Sequence, residues 1–438
     1  MEVPGAYICF VDNYLVTEVL GYKNLKLSNM KSWTKYVAMT MFVLSTAVLI
    51  CQSQDWSQWR GSARDGRVTG FEAPQAWPGQ FSKTWEVTVG SGDATPALVK
   101  NKLYVFSNMD GNEILQCLDA TSGKQIWQAE GYPSAAITGP AASHPGPRSS
   151  VAYAEGKIVT LGAWGDLACF DASDGRLLWR NEDYKNQVPR FNTSMSPLVS
   201  DGICFTHLGG PNQGAFVAFN LATGAIKWKV EGEGPAYGSP VLADIGGRKQ
   251  IVFQSLTKLV SLDVAEGKLL WEYDTPAGEG RVQNSSSPLV EQNRIFFTGL
   301  KNGVNAIEIR KQGNSFVPDK LWTNPDFSTG YNTPVIKDGF LYGFSGQGGR
   351  MFCIDTKNGQ TAWEGETVFQ SFGSLVATDS YIVGLSGNSK FVFLKPNGRK
   401  CEIVSLMELT EKGIYAHPIL SGNRIYIKDE DSVILFTL

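Results

Sequence analysis

Five times the chain places an acid or amide eight residues before a tryptophan, with a glycine midway. The copies are Asp119–Gly123–Trp127, Asp171–Gly175–Trp179, Asn220–Gly224–Trp228, Asp263–Gly267–Trp271 and Asp355–Gly359–Trp363. Four carboxylates and an amide could hold a hard cation if a fold gathered them. Seven cysteines raise thiol or metal chemistry, and three histidines, His144, His207 and His417, could act as acids or bases. The spacing argues against all three. No Cys-x-x-Cys occurs, and Cys117, Cys169 and Cys353 each stand two residues before a repeated Asp. They therefore occupy one strand position in three repeats, as small core residues do. The histidines sit in unrelated contexts, so no Ser/His/Asp set can be assembled from them. Residues repeated once per unit are spread apart by the fold. The Asp and Asn side chains are expected to bond the backbone of their own turns. No metal site and no catalytic residue is expected.

The repeat is larger than its tryptophan. Ahead of each phrase lies a short strand marked by Thr95-Pro96, Ser196-Pro197, Ser239-Pro240, Ser287-Pro288 or Thr333-Pro334. Degenerate marks are Ser150-Val151, Ser374-Leu375 and His417-Pro418. The mean period is about 46 residues, which is the size of a four-stranded blade. Apolar runs bounded by Asp-Gly, Asn-Gly and Thr-Gly read as hairpins. The expected architecture is all-β, a single eight-bladed propeller with tryptophan-containing four-stranded blades over residues 84–438. Seven blades is the alternative, should the weak unit at Ser374 not form one. The last unit stops one strand short at Leu438, and Thr84-Trp85-Glu86-Val87 is an orphan strand. Trp85 is thus expected to close the ring as the outer strand of the last blade, leaving no open seam. Trp85, Trp127, Trp179, Trp228, Trp271, Trp322 and Trp363 are expected to pack between blades.

The string from Leu167 to Trp179, Leu-Ala-Cys-Phe-Asp-Ala-Ser-Asp-Gly-Arg-Leu-Leu-Trp, resembles the PQQ-like, or quinoprotein-type, propeller repeat. The segment Asp55-Trp-Ser-Gln-Trp-Arg-Gly61 resembles the start of exported bacterial members of that family. The resemblance runs from about residue 55 to the end of the chain. It implies the propeller fold and one of two functions. Some members are PQQ-dependent alcohol dehydrogenases, which stack the quinone on an adjacent-cysteine disulfide beside calcium. Others resemble BamB, a lipoprotein scaffold without catalysis. This sequence has no Cys-Cys pair, so no cofactor is expected, and PQQ with calcium belongs to the alternative reading.

With 39 basic and 42 acidic residues the net charge is −3, and no basic stripe suggests nucleic acid as a partner. The apolar stretch from Tyr36 to Ile50 follows Lys31 and Lys35, as in a secretory signal, and is short for a membrane span. Residues 1–53 are therefore expected to be an upstream extension and signal, with Met30 a natural start and cleavage near Ser53. Cys51 would be the site of a lipid anchor if one exists. Residues 54–83 form a lead-in. The protein is expected to be exported, periplasmic or extracellular, monomeric, and membrane-associated only through its N-terminus.

Topology places the binding face. Strands alternate in direction, so connections between blades share one face with the loops joining second to third strands. That face holds the long irregular stretches, including 130–149 and 180–194. Three residues before each proline-equivalent stand Asp93, Arg148, Ser194, Tyr237, Ser285, Tyr331, Phe372 and Tyr415, a ring at the channel mouth. Trp164 and His207 lie in apparent loops of the same face. The expected binding set is Asp93, Arg148, Trp164, His207, Tyr237, Tyr331 and Tyr415, engaging an envelope protein, a peptide or a glycan.

Overall fold

A computed structural model describes residues 55–211, 213–276 and 284–438. The signal, the anchor, Met30 and Cys51 lie outside the described residues. Ser53–Leu438 forms one unit, and its strands make eight antiparallel sheets, each with a run of four paired strands. The unit at Ser374 is a full blade, with strands Gly373–Ala377, Ile382–Ser386, Lys390–Lys395 and Glu402–Glu408. The ring therefore has eight blades, not seven. It closes as expected: Ser82–Thr88 pairs antiparallel with Ser432–Thr437, and Trp85 stands opposite Leu435. The first blade carries an extra short strand, Tyr132–Pro133, added to Asn112–Asp119.

The repeated phrase has a mechanical meaning. Asp119, Asp171, Asn220, Asp263 and Asp355 each accept backbone N–H groups two or three residues on, as at Ser122 (2.8 Å) and Ser173 (2.8 Å). The glycine four residues later is left-handed, with φ of 70° to 79° across the five copies. It also receives the tryptophan of the preceding blade. A Cβ on Gly175 would lie 2.6 Å from the Trp127 ring, and one on Gly224 2.7 Å from Trp179. The indole of Trp179 then donates to Leu221 O (2.9 Å), and that of Trp228 to Val264 O (3.1 Å). Trp85, Trp127, Trp179, Trp228 and Trp322 thus reach across to the next blade, where only glycine leaves room, whereas the Trp271 indole donates to Gln250 Oε1 of its own blade (2.9 Å).

The Ser-Pro and Thr-Pro marks are explained by a hydrogen-bonded girdle around the axis. His417 N donates to Thr95 Oγ1 (2.9 Å), Thr95 N to Ser150 Oγ (3.2 Å) and Ser150 N to Ser196 Oγ (2.9 Å). The links continue from Ser196 to Ser239 (2.9 Å), Ser239 to Ser287 (2.7 Å) and Ser287 to Thr333 (3.0 Å). Each side-chain oxygen satisfies a buried N–H of the neighbouring blade. The girdle opens at blades seven and eight. The Ser374 hydroxyl is buried without a partner, and residue 417 offers an imidazole in place of a hydroxyl.

The lead-in does more than precede the ring: it plugs the channel. Arg60 and Arg64 are almost fully buried on the axis. Arg64 donates to Ser196 O, Pro197 O and Pro240 O at 2.7–3.0 Å, spanning blades three and four. Across the channel, Arg60 donates to Thr333 O (2.9 Å), Pro334 O (2.8 Å) and Leu375 O (3.5 Å) of blades six and seven. Trp56 exchanges backbone bonds with Leu98 of blade one, and Gln58 holds both polar backbone groups of Val199. Further contacts go to Tyr153, Glu291 and Gly422, so the segment touches all eight blades.

Candidate binding site at the channel mouth

Above the plug the channel is a blind cup of about 390 Å³. Trp59 lies at its floor, edge-on to His417 with ring centroids 5.5 Å apart. All eight residues of the sequence ring line it: Asp93, Arg148, Ser194, Tyr237, Ser285, Tyr331, Phe372 and Tyr415. The reason is topological. The residue three before the proline ends the connection between blades, just before the inner strand turns down into the channel.

The aromatics form an ordered wall. Tyr331 stacks on Phe372 at 4.2 Å with the planes 7° apart, and Tyr415 meets Phe372 edge-on at 5.6 Å. His144 packs against Tyr415 at 4.4 Å and pairs its Nδ1 with Asp93 Oδ2 at 2.9 Å. On the far side Phe191 packs on Tyr237 at 6.0 Å. Burial pushes the Tyr237 and Tyr415 phenols up, so both are neutral hydrogen-bonding groups at physiological pH.

Arg148 is a brace. Its guanidinium donates to Phe191 O (2.7 Å), Ala141 O (3.1 Å) and His144 O (2.7 Å), which ties the two long inter-blade loops together over the mouth. Two other sequence candidates lie elsewhere. Trp164 donates its indole N–H to Ala135 O (2.7 Å) and does not line the cup. The segment around His207 is a long hairpin, Ile203–Gly210 with Gln213–Asn220, where a loop was expected. His207 is buried in it, bonded to Glu233 O at 2.8 Å and packed on Phe253. Burial lowers its pKa to about 4, so it stays neutral at physiological pH. The Gly-Gly-Pro composition resembled a loop, but Gly209 and Gly210 pair with Gly214 and Gln213, so the strand runs up to the turn at Pro211.

Three features of the site were not read from the sequence. Trp59, Arg60 and Arg64 enter from a segment that lies 132 to 315 residues from the blade carbonyls the two arginines bind. His144 supplies the only imidazole paired with a carboxylate in the cup. Glu113 lies beneath the rim, buried, accepting Ala163 N (2.9 Å) and Ser134 Oγ (3.2 Å) from two mouth loops. Its Oε2 is buried without a partner. Burial raises its pKa, and the nearby Asp166 carboxylate adds to that against the hydrogen bonds.

That burial has a measurable consequence. A carboxyl whose folded pKa lies above its unfolded value stabilises most at low pH. The unfolded chain releases its proton first, so stability falls as pH rises from the unfolded value towards the folded one. Glu113→Gln removes this loss. The variant should melt higher than the parent at about pH 8, with the gap closing towards about pH 4. Identical pH profiles of the melting temperature in the two proteins would show that Glu113 is not buried in this way.

The residues do not fit a calcium-bound quinone. Trp59 offers a flat ring, but the described cysteines, Cys117, Cys169, Cys204, Cys353 and Cys401, are free thiols and none lines the cup. Among the described residues Asp93 is the one carboxylate in its wall, and no three His, Cys, Asp or Glu side chains cluster as metal ligands.

Comparison with known proteins agrees with the architecture. The outer membrane protein assembly factor BamB of Yersinia pestis is 21% identical over 377 residues, covering 80% of this chain and 87% of its own. The crystal structure of BamB from Moraxella catarrhalis superposes with a TM-score of 0.61 at 14% identity, covering 82% of this chain and 98% of that one. A europium-containing methanol dehydrogenase superposes with a TM-score of 0.65, also at 14% identity, covering 88% and 98%. At such identities the superpositions show the fold alone. The sequence model of one family matches residues 111–365, more than half of the chain, and the chain belongs to that family, described as outer membrane protein assembly factor BamB.

Proposed function

We propose that the protein is an exported, non-enzymatic scaffold that binds a protein or peptide of the cell envelope through its loop-rich face. The observation that carries this reading is the mouth itself. Its wall carries aromatic rings, its floor is closed by the chain's own Trp59, and the carboxylate among its described residues, Asp93, is engaged by His144. Aromatic side chains on a rigid rim are typical energetic anchors of interfaces. Membership of the BamB family and the Yersinia pestis relative support an assembly role over catalysis. The alternative is a quinoprotein oxidoreductase, supported by the superposition with the methanol dehydrogenase.

The test is site-specific photocrosslinking in envelope preparations. A photoreactive residue at Tyr331 or Tyr237 should give discrete protein adducts, and one at Asn358, in a hairpin turn of the opposite face, should not. Adduct yield at Tyr237 should fall about tenfold when Tyr331→Ala and Tyr415→Ala are combined. Equal adducts at Asn358 would remove the site. Dye-linked alcohol oxidation by protein supplied with PQQ and calcium would replace the scaffold reading by the enzymatic one.

A further inference from the structure

We propose that the cup receives the free carboxylate end of a peptide whose last side chain is a flat apolar ring. This rests on the peptide-binding reading above and names its ligand. Four observations carry it.

The cup is blind. Trp59 and the plug close its lower end, so a chain cannot thread the channel and must enter by an end or a side chain. Its volume, about 390 Å³, is near the lower limit of ligand pockets, which run from about 300 to 1,000 Å³. That suits one or two residues, not an element of a folded partner.

The wall suits a ring. Tyr331 and Phe372 present a stacked pair with Tyr415 at its edge, and Tyr331 remains 41% exposed at the rim. A further ring can extend the stack in an offset or edge-on arrangement.

The field suits an anion. The Arg60 and Arg64 guanidinium carbons lie 5.5 and 5.7 Å from the Trp59 ring centroid. Neither arginine has a carboxylate within 4.0 Å among the described residues; backbone carbonyls solvate both. Burial pushes their pKa values down, to about 10 and about 9, which leaves both charged at neutral pH. Arg148 adds a positive charge in the wall itself, where Asp93 is the one carboxylate among the described residues. Among the described residues, Arg148 in the wall and the two arginines beside Trp59 set three cations around the cup against Asp93 in the wall and Asp65 near Arg60, a balance that favours negative charge.

A polar group waits for a partner where the girdle opens. His417 lines the cup, is 7% exposed, and its Nδ1 is buried without a hydrogen bond. The imidazole can donate, and a carboxylate accepts at two oxygens, whereas a carboxamide puts two donors in place of one acceptor. Thr95, Ser150, Ser239 and Thr333 add hydroxyls around the same wall.

The experiment uses the mature chain with acetyl-Gly-Phe as free acid and as carboxamide, by calorimetry and by NMR of the Trp59 indole and His417 imidazole. The acid should bind at least about tenfold more tightly than the amide and shift both resonances. Tyr331→Ala should weaken the acid by about tenfold with an unchanged melting temperature, because Tyr331 is a rim residue. Equal affinity for acid and amide would overturn the proposal, as would binding that leaves Trp59 and His417 unshifted. Benzoate binding as tightly as the peptide would also overturn it, assigning the cup to a free small acid. If neither peptide binds while mouth crosslinks still form, the cup proposal fails and the scaffold stands. If the acid binds and crosslinks are absent, the reverse holds.

Discussion

A chain begun at Val89 should associate and precipitate at concentrations where a chain begun at Phe81 sediments as a monomer. Both lack the plug; only the first lacks Ser82–Thr88. That strand is the outer edge of the last blade, paired antiparallel with Ser432–Thr437 with one register shift between Lys83 and Trp85. Without it, Ser432–Thr437 becomes an open edge with an unpaired row of N–H and C=O groups, ready to pair with another chain. Trp85 is lost as well, and with it the contact that fills the turn at Gly123 of blade one. Loss of the ladder and of that contact should cost more than about 5 kcal/mol, which is comparable to the whole stability of many domains. Sedimentation velocity and thermal melts of the two truncations decide it. If the Val89 chain remains monomeric and melts with the Phe81 chain, the ring is not held shut by its N-terminal strand.

Arg64→Met should destabilise the ring by about 3–5 kcal/mol in a urea melt. The guanidinium holds three carbonyls just ahead of the inner strands of two blades at 2.7–3.0 Å. Methionine fills the space but leaves those acceptors buried without donors. The opposing effect is the burial of an arginine whose pKa is pushed down to about 9, a cost that methionine would relieve. Three orphaned carbonyls at one site outweigh that relief, because the charge is already solvated by their dipoles. Arg64→Lys should recover less than half of the loss, since one ammonium cannot span carbonyls on two blades as a planar fork does. Wild-type stability in Arg64→Met would mean that the plug occupies the channel without clamping it.

The sequence by itself determined the architecture, because the propeller is written once per blade. The Asp–Gly–Trp phrase needs only its own turn and the neighbouring tryptophan, and both recur at fixed spacing. The same locality placed the eight mouth residues, from Asp93 to Tyr415, since a fixed offset from the inner strand gives a fixed height on the axis. Tertiary structure alone decided the rest. Whether the run around His207 is loop or strand depends on the pairing of Ile203–Gly210 with Gln213–Asn220, not on its glycines. The role of Arg148 as a brace depends on two loops meeting above it. The plug is the clearest case. Trp59, Arg60 and Arg64 belong to no repeat, and their partners Ser196, Pro240 and Thr333 are distant in the chain. Only closing the ring brings those carbonyls around one axis, where a buried cation can satisfy several of them at once.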